Sequence, residues 1–347
     1  MRFYRQQHKH YCGVDLHTRT MYVCILDQGD EILLHRNMRA NPHEFLAAIE
    51  PYRDDLVVGV ECIFTWYWLA DLCDREGISF VLAHALYLKA VHGGKTKNDR
   101  IDAQKIADLL RGRNIPVAYA YPAHMRATRD LLRRRTHLMR KRSELLTHIQ
   151  NTASQCNLPS PGKLTYPGKR VGVADRFADP EVRRNVELDL TLIDVYDPLL
   201  RQLEKELVAT AKVHDSTSFE LLRSIPGIGK IIALTLLYEI HDIQRFRRVQ
   251  DFSSYARLVG GTRESAGKTV GSRGRKIGNP HLKWAFSEAA TCFLNQHRPA
   301  QKYKQRLVRR HGKAKAMAIL AHKLGRTVYH VLRRQTPFDA QRFMSTN

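Results

Sequence analysis

Residues 11–17, which read YCGVDLH, and residues 21–38, which read MYVCILDQGDEILLHRNM, decide the class of fold. The first stretch is a short apolar run that contains an acid near its end. The second consists of two apolar runs on either side of the turn sequence DQGD. Short apolar runs bounded by turn signals are typical of buried strands. The chain is therefore predicted to begin with strands, two of them antiparallel neighbours.

The stretches that follow alternate between helix and strand. Residues 41–53 (NPHEFLAAIEPYR) begin with an Asn cap and a Pro, and residues 65–77 (TWYWLADLCDREG) end on a Gly, so both are predicted helices. Residues 55–62 (DLVVGVEC) and 77–84 (GISFVLAH) read as further strands. This alternation predicts an α/β domain over residues 1–122, with a mixed sheet whose later strands are parallel.

Residues 123–215 are predicted to be helical and basic. Residues 126–150 contain eight Lys or Arg and two acids, and Leu131, Leu138 and Leu145 repeat at seven. A linker or hairpin tip (LPSPGKLTYPGKR, residues 158–170) precedes a second helix, which Pro198 is expected to kink or break. The pattern favours an antiparallel helical hairpin or coiled coil whose seam serves oligomerisation. Two helices packed on their own domain is the alternative.

Residues 216–347 are predicted to form a third, mainly helical domain. LLRSIPGIGKIIALTLLYEI (residues 221–240) joins two helical stretches through a Pro-Gly turn, and residues 298–334 contain twelve Lys or Arg and no acid.

The overall charge indicates a polyanionic partner. The 347 residues include 57 Lys and Arg against 34 Asp and Glu, a formal net charge of +23, which favours nucleic acid. There is no apolar run of about 18 residues and no signal-peptide pattern, so we expect a soluble cytoplasmic protein with no membrane partner. The six cysteines have no zinc-site spacing and are expected to be reduced, mostly buried thiols.

Four acids form a candidate metal site. Asp15 and Glu61 end predicted strands, and Asp99 and Asp102 lie three residues apart at the start of a predicted helix, on one face. Converging carboxylates repel one another unless a hard divalent cation binds them. Two Mg²⁺ ions about 4 Å apart suit phosphodiester chemistry. In the structural alternative, Asp99 is a helix N-cap and Asp102 pairs with Arg100 or Lys105.

The stretch SIPGIGK, residues 224–230, is a candidate phosphate contact. A turn of this type exposes backbone N–H groups at the start of a helix, which suits a phosphate without reading its base. A Pro-Gly turn also joins helices for purely structural reasons.

The stretch TRESAGKTVGSRGRKIGNPHLK, residues 262–283, is a candidate nucleophile site. A serine among cations is suited to attack phosphorus and form a covalent intermediate. Ser265 has Arg263, Lys268, Arg273, Arg275 and Lys276 nearby in sequence, and Ser272 is a rival. The alternative is a flexible loop that only contacts phosphate.

In this order, VDLH, VGVE, KTKNDRIDA, PGIG and ESAGKTVGSRGRKIGN resemble the DEDD transposases of insertion-sequence family one-ten. That family includes the eleven-eleven subgroup and related Piv-type DNA invertases, and the resemblance runs over nearly the whole chain. It implies a RuvC-like N-terminal domain with the ribonuclease-H fold, a coiled-coil segment, and a C-terminal transposase domain with a helix-hairpin-helix-like motif.

The resemblance also implies site residues and partners. Asp15, Glu61, Asp99 and Asp102 match the four metal-binding acids, and ESAGK matches the family's serine-bearing loop, in which a second Gly often replaces Ala266; this selects Ser265 over Ser272. In the family, the serine attacks DNA to give a 5′-phosphoserine-type linkage, and acids with Mg²⁺ assist in a composite site shared between protomers. Members work as dimers and tetramers with a structured non-coding bridge RNA that pairs with donor and target DNA.

The charge pattern, the Pro-Gly turn and the resemblance together predict a set of residues that bind nucleic acid. They are Lys95, Lys97, Arg133, Arg134, Arg135, Gly227, Gly229, Lys230, Lys268, Arg273 and Lys276. A Piv-type invertase and a RuvC-like nuclease or junction resolvase that uses metal-activated water are the alternative enzymes. A basic nucleic-acid-binding protein with structural acids is the non-enzymatic alternative.

Overall fold

The computed structural model describes residues 2–91, 98–273, 277–296 and 298–345. The chain divides into two compact units, of which the first ends at Ala123 and the second begins at His124. The predicted further division after residue 215 does not appear at this level and stays a prediction.

The N-terminal unit contains a five-stranded mixed sheet. Its strands are β1 (His10–Leu16), β2 (Thr20–Leu26), β3 (Ile32–Arg39), β4 (Leu56–Glu61) and β5 (Ser79–Ala83). The order across the sheet is β3-β2-β1-β4-β5. β1 pairs antiparallel with β2, and β2 with β3, whereas β1, β4 and β5 are parallel. The predicted mixed sheet is confirmed, including the hairpin around DQGD.

Four helices accompany this sheet: α1 (Pro42–Ile49), α2 (Tyr67–Arg75), α3 (Ala85–Val91) and α4 (Asp99–Arg111). α1 begins as predicted, because Asn41 Oδ1 accepts a hydrogen bond of 2.9 Å from Glu44 N. α4 packs against β1, β2 and β4. The central strands are almost fully buried, as the apolar runs in the sequence require.

The C-terminal unit is mostly helical. Its elements are α5 (Ala123–Gln155, which begins one residue before the division), α6 (Pro180–Arg223), α7 (Lys230–Ile240), α8 (Val249–Tyr255), β6 (Gly261–Ser265), β7 (Lys268–Arg273), α9 (Pro280–Gln296), α10 (Arg298–His311), α11 (Lys313–Arg334) and α12 (Ala340–Ser345). The fold is thus an α/β unit followed by a mainly helical one.

Helices α5 and α6 run antiparallel. Three side-chain contacts connect them: the ion pairs of Arg135 with Glu204 and of Arg142 with Asp197, and a hydrogen bond between His148 and Asp189. As the residue number rises along α5, the partner's number falls along α6. The Pro- and Gly-rich stretch between them is the tip of the hairpin, where the buried Arg170 contacts Asp194 and Asp197. The predicted antiparallel hairpin is confirmed.

The predicted break at Pro198 is wrong. α6 runs through Pro198, which lies on the exposed side of the helix, so water can bind the carbonyl that lacks a partner. The non-helical residue lies further on, at Asp215 (φ −160°, ψ 81°). Asp215 Oδ1 accepts a hydrogen bond of 2.8 Å from Ser218 N, so Asp215 caps the last segment of the helix.

Helix α7 lies at the centre of the helical core. Every residue from Ile232 to Ile240 is buried, and the helix packs against α6 and α9. Phe219, Phe252, Phe286 and Phe293 are fully buried around it. A core of this size explains why residues 124–347 form one unit.

All six cysteines are free thiols. Cys12, Cys24 and Cys73 are buried, whereas Cys62 and Cys156 are exposed, so the prediction of mostly buried thiols is correct for half of them.

Over the described ranges, no helix combines the length and the apolar character that crossing a membrane requires.

Candidate metal centre and serine hairpin

The carboxyl ends of β1 and β4 position Asp15 and Glu61. The strands are parallel neighbours with Val14 opposite Val60, so the next residue on each strand is one of the two acids. Asp15 is the penultimate residue of β1, and Glu61 is the last residue of β4. The two predicted acids therefore lie at the carboxyl ends of two adjacent strands.

Helix α4 lies directly against β1 because Gly13 has no side chain. A Cβ atom at Gly13 would be 2.1 Å from Ala103 O and 2.5 Å from Ala107 N. Gly59 on β4 is similarly close to Leu110. This close packing holds the first turn of α4, with its two aspartates, near the end of β1.

Asn98 is the N-cap of α4. Its Oδ1 accepts a hydrogen bond of 2.9 Å from Arg100 N, and Asp99 is the first helical residue. The alternative in which Asp99 caps the helix is therefore wrong, and its carboxylate is available for another contact.

Asp15, His17 and Asp99 form a compact group of possible metal ligands. One ligand atom from each residue lies within 4.8 Å of the other two. His17 Nε2 is 3.5 Å from Asp15 Oδ2 and 3.5 Å from Asp99 Oδ2. His17 was not among the predicted ligands, although residues two apart in an extended stretch share a face, and VDLH contains this spacing.

Glu61 and Asp102 lie beside this group without belonging to it. In the described part of the chain, no other group of three ligands is as close together. Glu61 is half-buried at the end of β4. Asp102 Oδ1 accepts a hydrogen bond of 3.4 Å from Lys105 Nζ, which is one of the pairings that the structural alternative predicted.

The serine-bearing stretch is a β-hairpin, whereas the sequence analysis described it as a loop. Ser265 pairs with Lys268 across a turn of two residues, Ala266 and Gly267, and Ser272 lies opposite Thr262. Both turn residues have positive φ, 50° and 73°, as a type I′ turn requires. Ser265 is thus the last residue before the tip, and Ser272 is near the base.

The residues that flank the hairpin, which we call its base, are attached to the helical core; Arg257 precedes the hairpin, and Ile277 and Asn279 follow it. Arg257 Nε donates a hydrogen bond of 2.9 Å to Ile277 O, and Asn279 N donates one of 2.6 Å to Tyr255 O. Asn279 also caps α9, since its Oδ1 accepts hydrogen bonds from His281 N and Leu282 N. The residues that follow the hairpin are therefore fixed by several contacts.

Glu239 is a buried carboxylate that holds Asn279 in place. Its oxygens accept two hydrogen bonds from Arg133, of 2.7 and 2.8 Å, and one of 2.7 Å from Asn279 Nδ2. Burial alone would raise the pKa of Glu239, but the hydrogen bonds and charge of Arg133, together with Asn279, lower this pKa overall. Glu239 is consequently ionised inside the core and links α5 to the base of the hairpin.

The three consecutive arginines of α5 have different surroundings. Arg133 is bound to Glu239, and Arg135 Nε donates a hydrogen bond of 2.8 Å to Glu204, whereas Arg134 is exposed. Arg133 and Arg135 thus have structural contacts in addition to their predicted contact with nucleic acid.

The Pro-Gly turn before α7 divides into a buried part and an exposed part. Gly227 is buried against α9, where a Cβ would be 2.4 Å from Phe293 N, and its N–H donates to Gln296 Oε1. Gly229 and Lys230 are exposed at the start of α7, which has no side-chain cap. The predicted phosphate contact therefore rests on Gly229 and Lys230.

Lys230 lines a cleft of about 420 Å³ with residues of α6. The charged residues of this lining are Arg201, Glu204, Lys205, Lys212 and Lys230. Four cations against one acid make the cleft attractive to an anion.

The remaining predicted contacts are only partly described. Lys268 is exposed beside the hairpin turn. Arg273 is the last residue of β7. For Arg273, as for Ser265, the structure describes the backbone only. Lys95, Lys97, Arg275 and Lys276 lie outside the described residues.

Two family models match different parts of the chain. A DEDD transposase model matches residues 12–157, which include the sheet and the candidate metal ligands, and a model described as transposase IS116/IS110/IS902 family matches residues 219–305, which include the serine hairpin. Both belong to transposases, the class of protein that moves DNA segments.

Curated relatives agree along nearly the full length. A transposase for insertion sequence element IS1111A from Coxiella burnetii is 24% identical over 334 residues, which cover 94% of this chain and 90% of the relative. A transposase for insertion sequence element IS1328 from Yersinia enterocolitica is 24% identical over 94% and 98% of the two chains. A probable family 20 transposase from Pseudomonas aeruginosa is 23% identical over 93% and 97%.

These matches identify the chain as a DEDD transposase of the IS110/IS116/IS902 family. Membership confirms the family that the ordered motifs predicted. It makes the chain a DNA-acting enzyme and suggests a divalent metal, for which Asp15, His17 and Asp99 supply suitable ligands.

Proposed function

We propose that this transposase cuts and rejoins DNA through a covalent bond between Ser265 and a DNA phosphate. The main support is the hairpin: Ser265 precedes the two-residue turn at its tip, and hydrogen bonds fix the residues at its base. A nucleophile at a tip can enter a DNA groove, while a fixed base limits the positions that it samples.

In the proposed reaction, Ser265 Oγ loses its hydroxyl proton to the solvent as it attacks a backbone phosphorus. The P–O bond to the 3′ oxygen breaks, and that oxygen takes a proton to become a free 3′-hydroxyl. The serine then carries the 5′ phosphate. Attack by the 3′-hydroxyl of another strand reverses these steps and releases the serine, so the phosphodiester energy is conserved.

We infer that Asp15, Glu61, Asp99 and Asp102 hold the metal, with Mg²⁺ as the ion and two ions per site. Adjacent strand ends and the first turn of α4 supply these carboxylates, and oxygen donors are those that Mg²⁺ prefers. Bound there, the ions would stabilise negative charge on the reacting phosphate. Neighbouring residues hold these ligands in place: Lys105 fixes the Asp102 carboxylate, and Asn98 fixes the start of the helix.

We also propose a RuvC-like fold for the first unit. Its support is the strand order β3-β2-β1-β4-β5, with an antiparallel start and parallel strands after it. The turn between α6 and α7 is proposed as a helix-hairpin-helix-like motif that contacts phosphate through Gly229 and Lys230.

A structured guide RNA is the second proposed nucleic-acid partner. The hairpin of α10 and α11 supports this assignment, because six of its cations are exposed within fourteen residues: Lys302, Arg306, Arg309, Arg310, Lys313 and Lys315. Such a surface binds nucleic-acid backbone with little sequence selectivity. Pairing by the RNA would then supply the sequence selectivity.

We propose that two copies of the chain associate through α6. Leu188, Leu192, Val195 and Leu199 are each about half exposed and follow one another at spacings of four, three and four. An apolar stripe with this spacing matches the seam between paired helices. Since the stripe points away from α5, a second copy of the chain is the proposed occupant.

Strand exchange on a donor plasmid that contains the element and its flanking DNA tests the proposal. Ser265→Ala is expected to abolish both cleavage and joining, because no other group replaces the nucleophile. Asp102→Ala is expected to abolish them as well. If Ser265→Ala left exchange intact while Asp102→Ala removed it, the serine mechanism would be wrong, and a nuclease that uses metal-activated water would take its place.

A further inference from the structure

We propose that His17 is a nitrogen ligand of the divalent metal and raises the affinity of the site for transition metals such as Mn²⁺ more than its affinity for Mg²⁺. This inference rests on the proposed metal site and adds to it a residue that the four-acid pattern does not contain.

The first argument is distance. Two donor atoms in neighbouring positions of an octahedral ion, each about 2.1 Å from it, are about 3.0 Å apart. His17 Nε2 is 3.5 Å from a carboxylate oxygen of Asp15 and 3.5 Å from one of Asp99. The imidazole is thus about 0.5 Å farther from each carboxylate oxygen than a shared octahedral ion requires, so a small movement of the side chains brings all three donors onto one ion.

The second argument is the way in which the backbone holds His17. His17 N donates a hydrogen bond of 2.9 Å to Thr20 O, which closes the tight connection between β1 and β2. Asp15 precedes it by two residues on β1 and pairs with Tyr22 of β2. Asp15 thus lies on the sheet and His17 directly after β1 in its tight connection to β2, so the backbone fixes both residues and the pair is preorganised.

The third argument is chemical. Carboxylate oxygens suit Mg²⁺, Ca²⁺ and Mn²⁺, whereas imidazole nitrogen suits transition metals and adds little for Mg²⁺. A site of two aspartates and one histidine should consequently bind Mn²⁺ more tightly than a site of carboxylates alone, with a smaller gain for Mg²⁺.

The test measures binding of MnCl₂ and MgCl₂ to the full chain by calorimetry, together with pulsed EPR of bound Mn²⁺. The wild-type protein is expected to show ¹⁴N coupling from a coordinated imidazole. In His17→Ala this coupling should disappear, and Mn²⁺ should bind at least about tenfold more weakly, with a change of no more than about twofold for Mg²⁺. His43→Ala is the matched control, because His43 is an exposed histidine of the same unit.

Two results would overturn the inference, and they are distinguishable. If Asp15→Asn loses Mn²⁺ while His17→Ala keeps both its affinity and its ¹⁴N coupling, the metal site stands and the role of His17 is wrong. If the wild type and Asp15→Asn bind Mn²⁺ and Mg²⁺ equally, the proposed metal site is itself wrong, and the role of His17 fails with it.

Discussion

Gly13 shows how one residue determines the geometry of the metal centre. Any side chain there would overlap the backbone of α4 at Ala103 and Ala107. The helix could then no longer lie against β1, and Asp99 would move away from Asp15 and His17. The glycine of YCGVDLH is therefore as necessary to the candidate site as the aspartate two residues later.

Glu239 contributes to stability through its charge. Glu239→Gln removes that charge from a buried carboxylate that accepts three hydrogen bonds. We expect the free energy of unfolding at neutral pH to fall by about 2 kcal/mol, because hydrogen bonds to charged groups are the strong ones. Glu204→Gln is the control, because the Glu204 carboxylate that pairs with Arg135 is more exposed than that of Glu239, and it should cost about 1 kcal/mol or less. Urea denaturation measures both.

The effect of Glu239 should also depend on pH. Because folding lowers its pKa from the ordinary value of 4.5, its contribution is present above that value and is lost as the pH falls through the lowered pKa. The difference in stability between the wild type and Glu239→Gln should therefore shrink below about pH 4.5. A difference that stays constant down to acid unfolding would contradict this account.

At the scale of the element, the serine hairpin was the largest omission of the sequence analysis. Strong hairpin signals place Asn-Gly or Asp-Gly in a two-residue turn, whereas this turn is Ala-Gly. Ala266 has a φ of 50°, a conformation that costs an alanine about 1 kcal/mol or more. Because Ala-Gly is a weak turn signal and Ala266 is strained there, turn propensity alone did not predict the strand pair.

The start of α7 is expected to bind a DNA phosphate through Lys230. Lys230→Ala should weaken binding to a non-specific duplex and reduce the slope of log affinity against log salt by about 0.9, because one fewer counterion is released. Fluorescence anisotropy over a range of salt concentrations measures this slope. Lys9→Ala removes the same charge from an exposed lysine that pairs with Asp54, and it should leave the slope unchanged. Equal slopes for Lys230→Ala and the wild type would rule out the contact.

Helix α6 shows that the position of a proline does not by itself locate a break. Pro198 is exposed, so its missing N–H leaves no buried carbonyl without a partner. Asp215 interrupts the helix instead, because its side chain can cap the segment that follows. The capping signal was present in the sequence at Asp215 and Ser218, but the proline is the stronger local cue.

At the scale of the whole molecule, the N-terminal sheet was predictable and the helical core was not. Strands such as β1 and β4 are continuous apolar runs, so their burial can be predicted from the local sequence. The surroundings of Glu239 involve Arg133 and Asn279, which are 106 and 40 residues away in the chain. Contacts over such separations have no local pattern, and His17 was missed because its significance depends on α4.

Self-association through α6 is the prediction that concerns the whole molecule. The double variant Leu192→Glu and Val195→Glu places two charges in the middle of the apolar stripe, which should prevent a second copy from packing there. Its molar mass by light scattering is expected to fall to that of a monomer. Val213→Glu, on the same helix outside the stripe, replaces another exposed valine and should leave the mass of the wild type. A double variant that keeps the wild-type mass would place the self-association surface elsewhere.

The covalent bond at Ser265 is the central claim, and trapping it is the most direct test. The full chain is mixed with Mg²⁺, the proposed guide RNA and donor DNA that carries a nick near the cleavage site, so that the cut strand diffuses away before rejoining. Protease digestion and mass spectrometry then locate the adduct. The account predicts one nucleotide-bearing peptide, with a 5′ phosphate on Ser265, which is absent from Ser265→Ala. Cleaved DNA with a free 5′ phosphate and no adduct, or an adduct on Ser272, would contradict it.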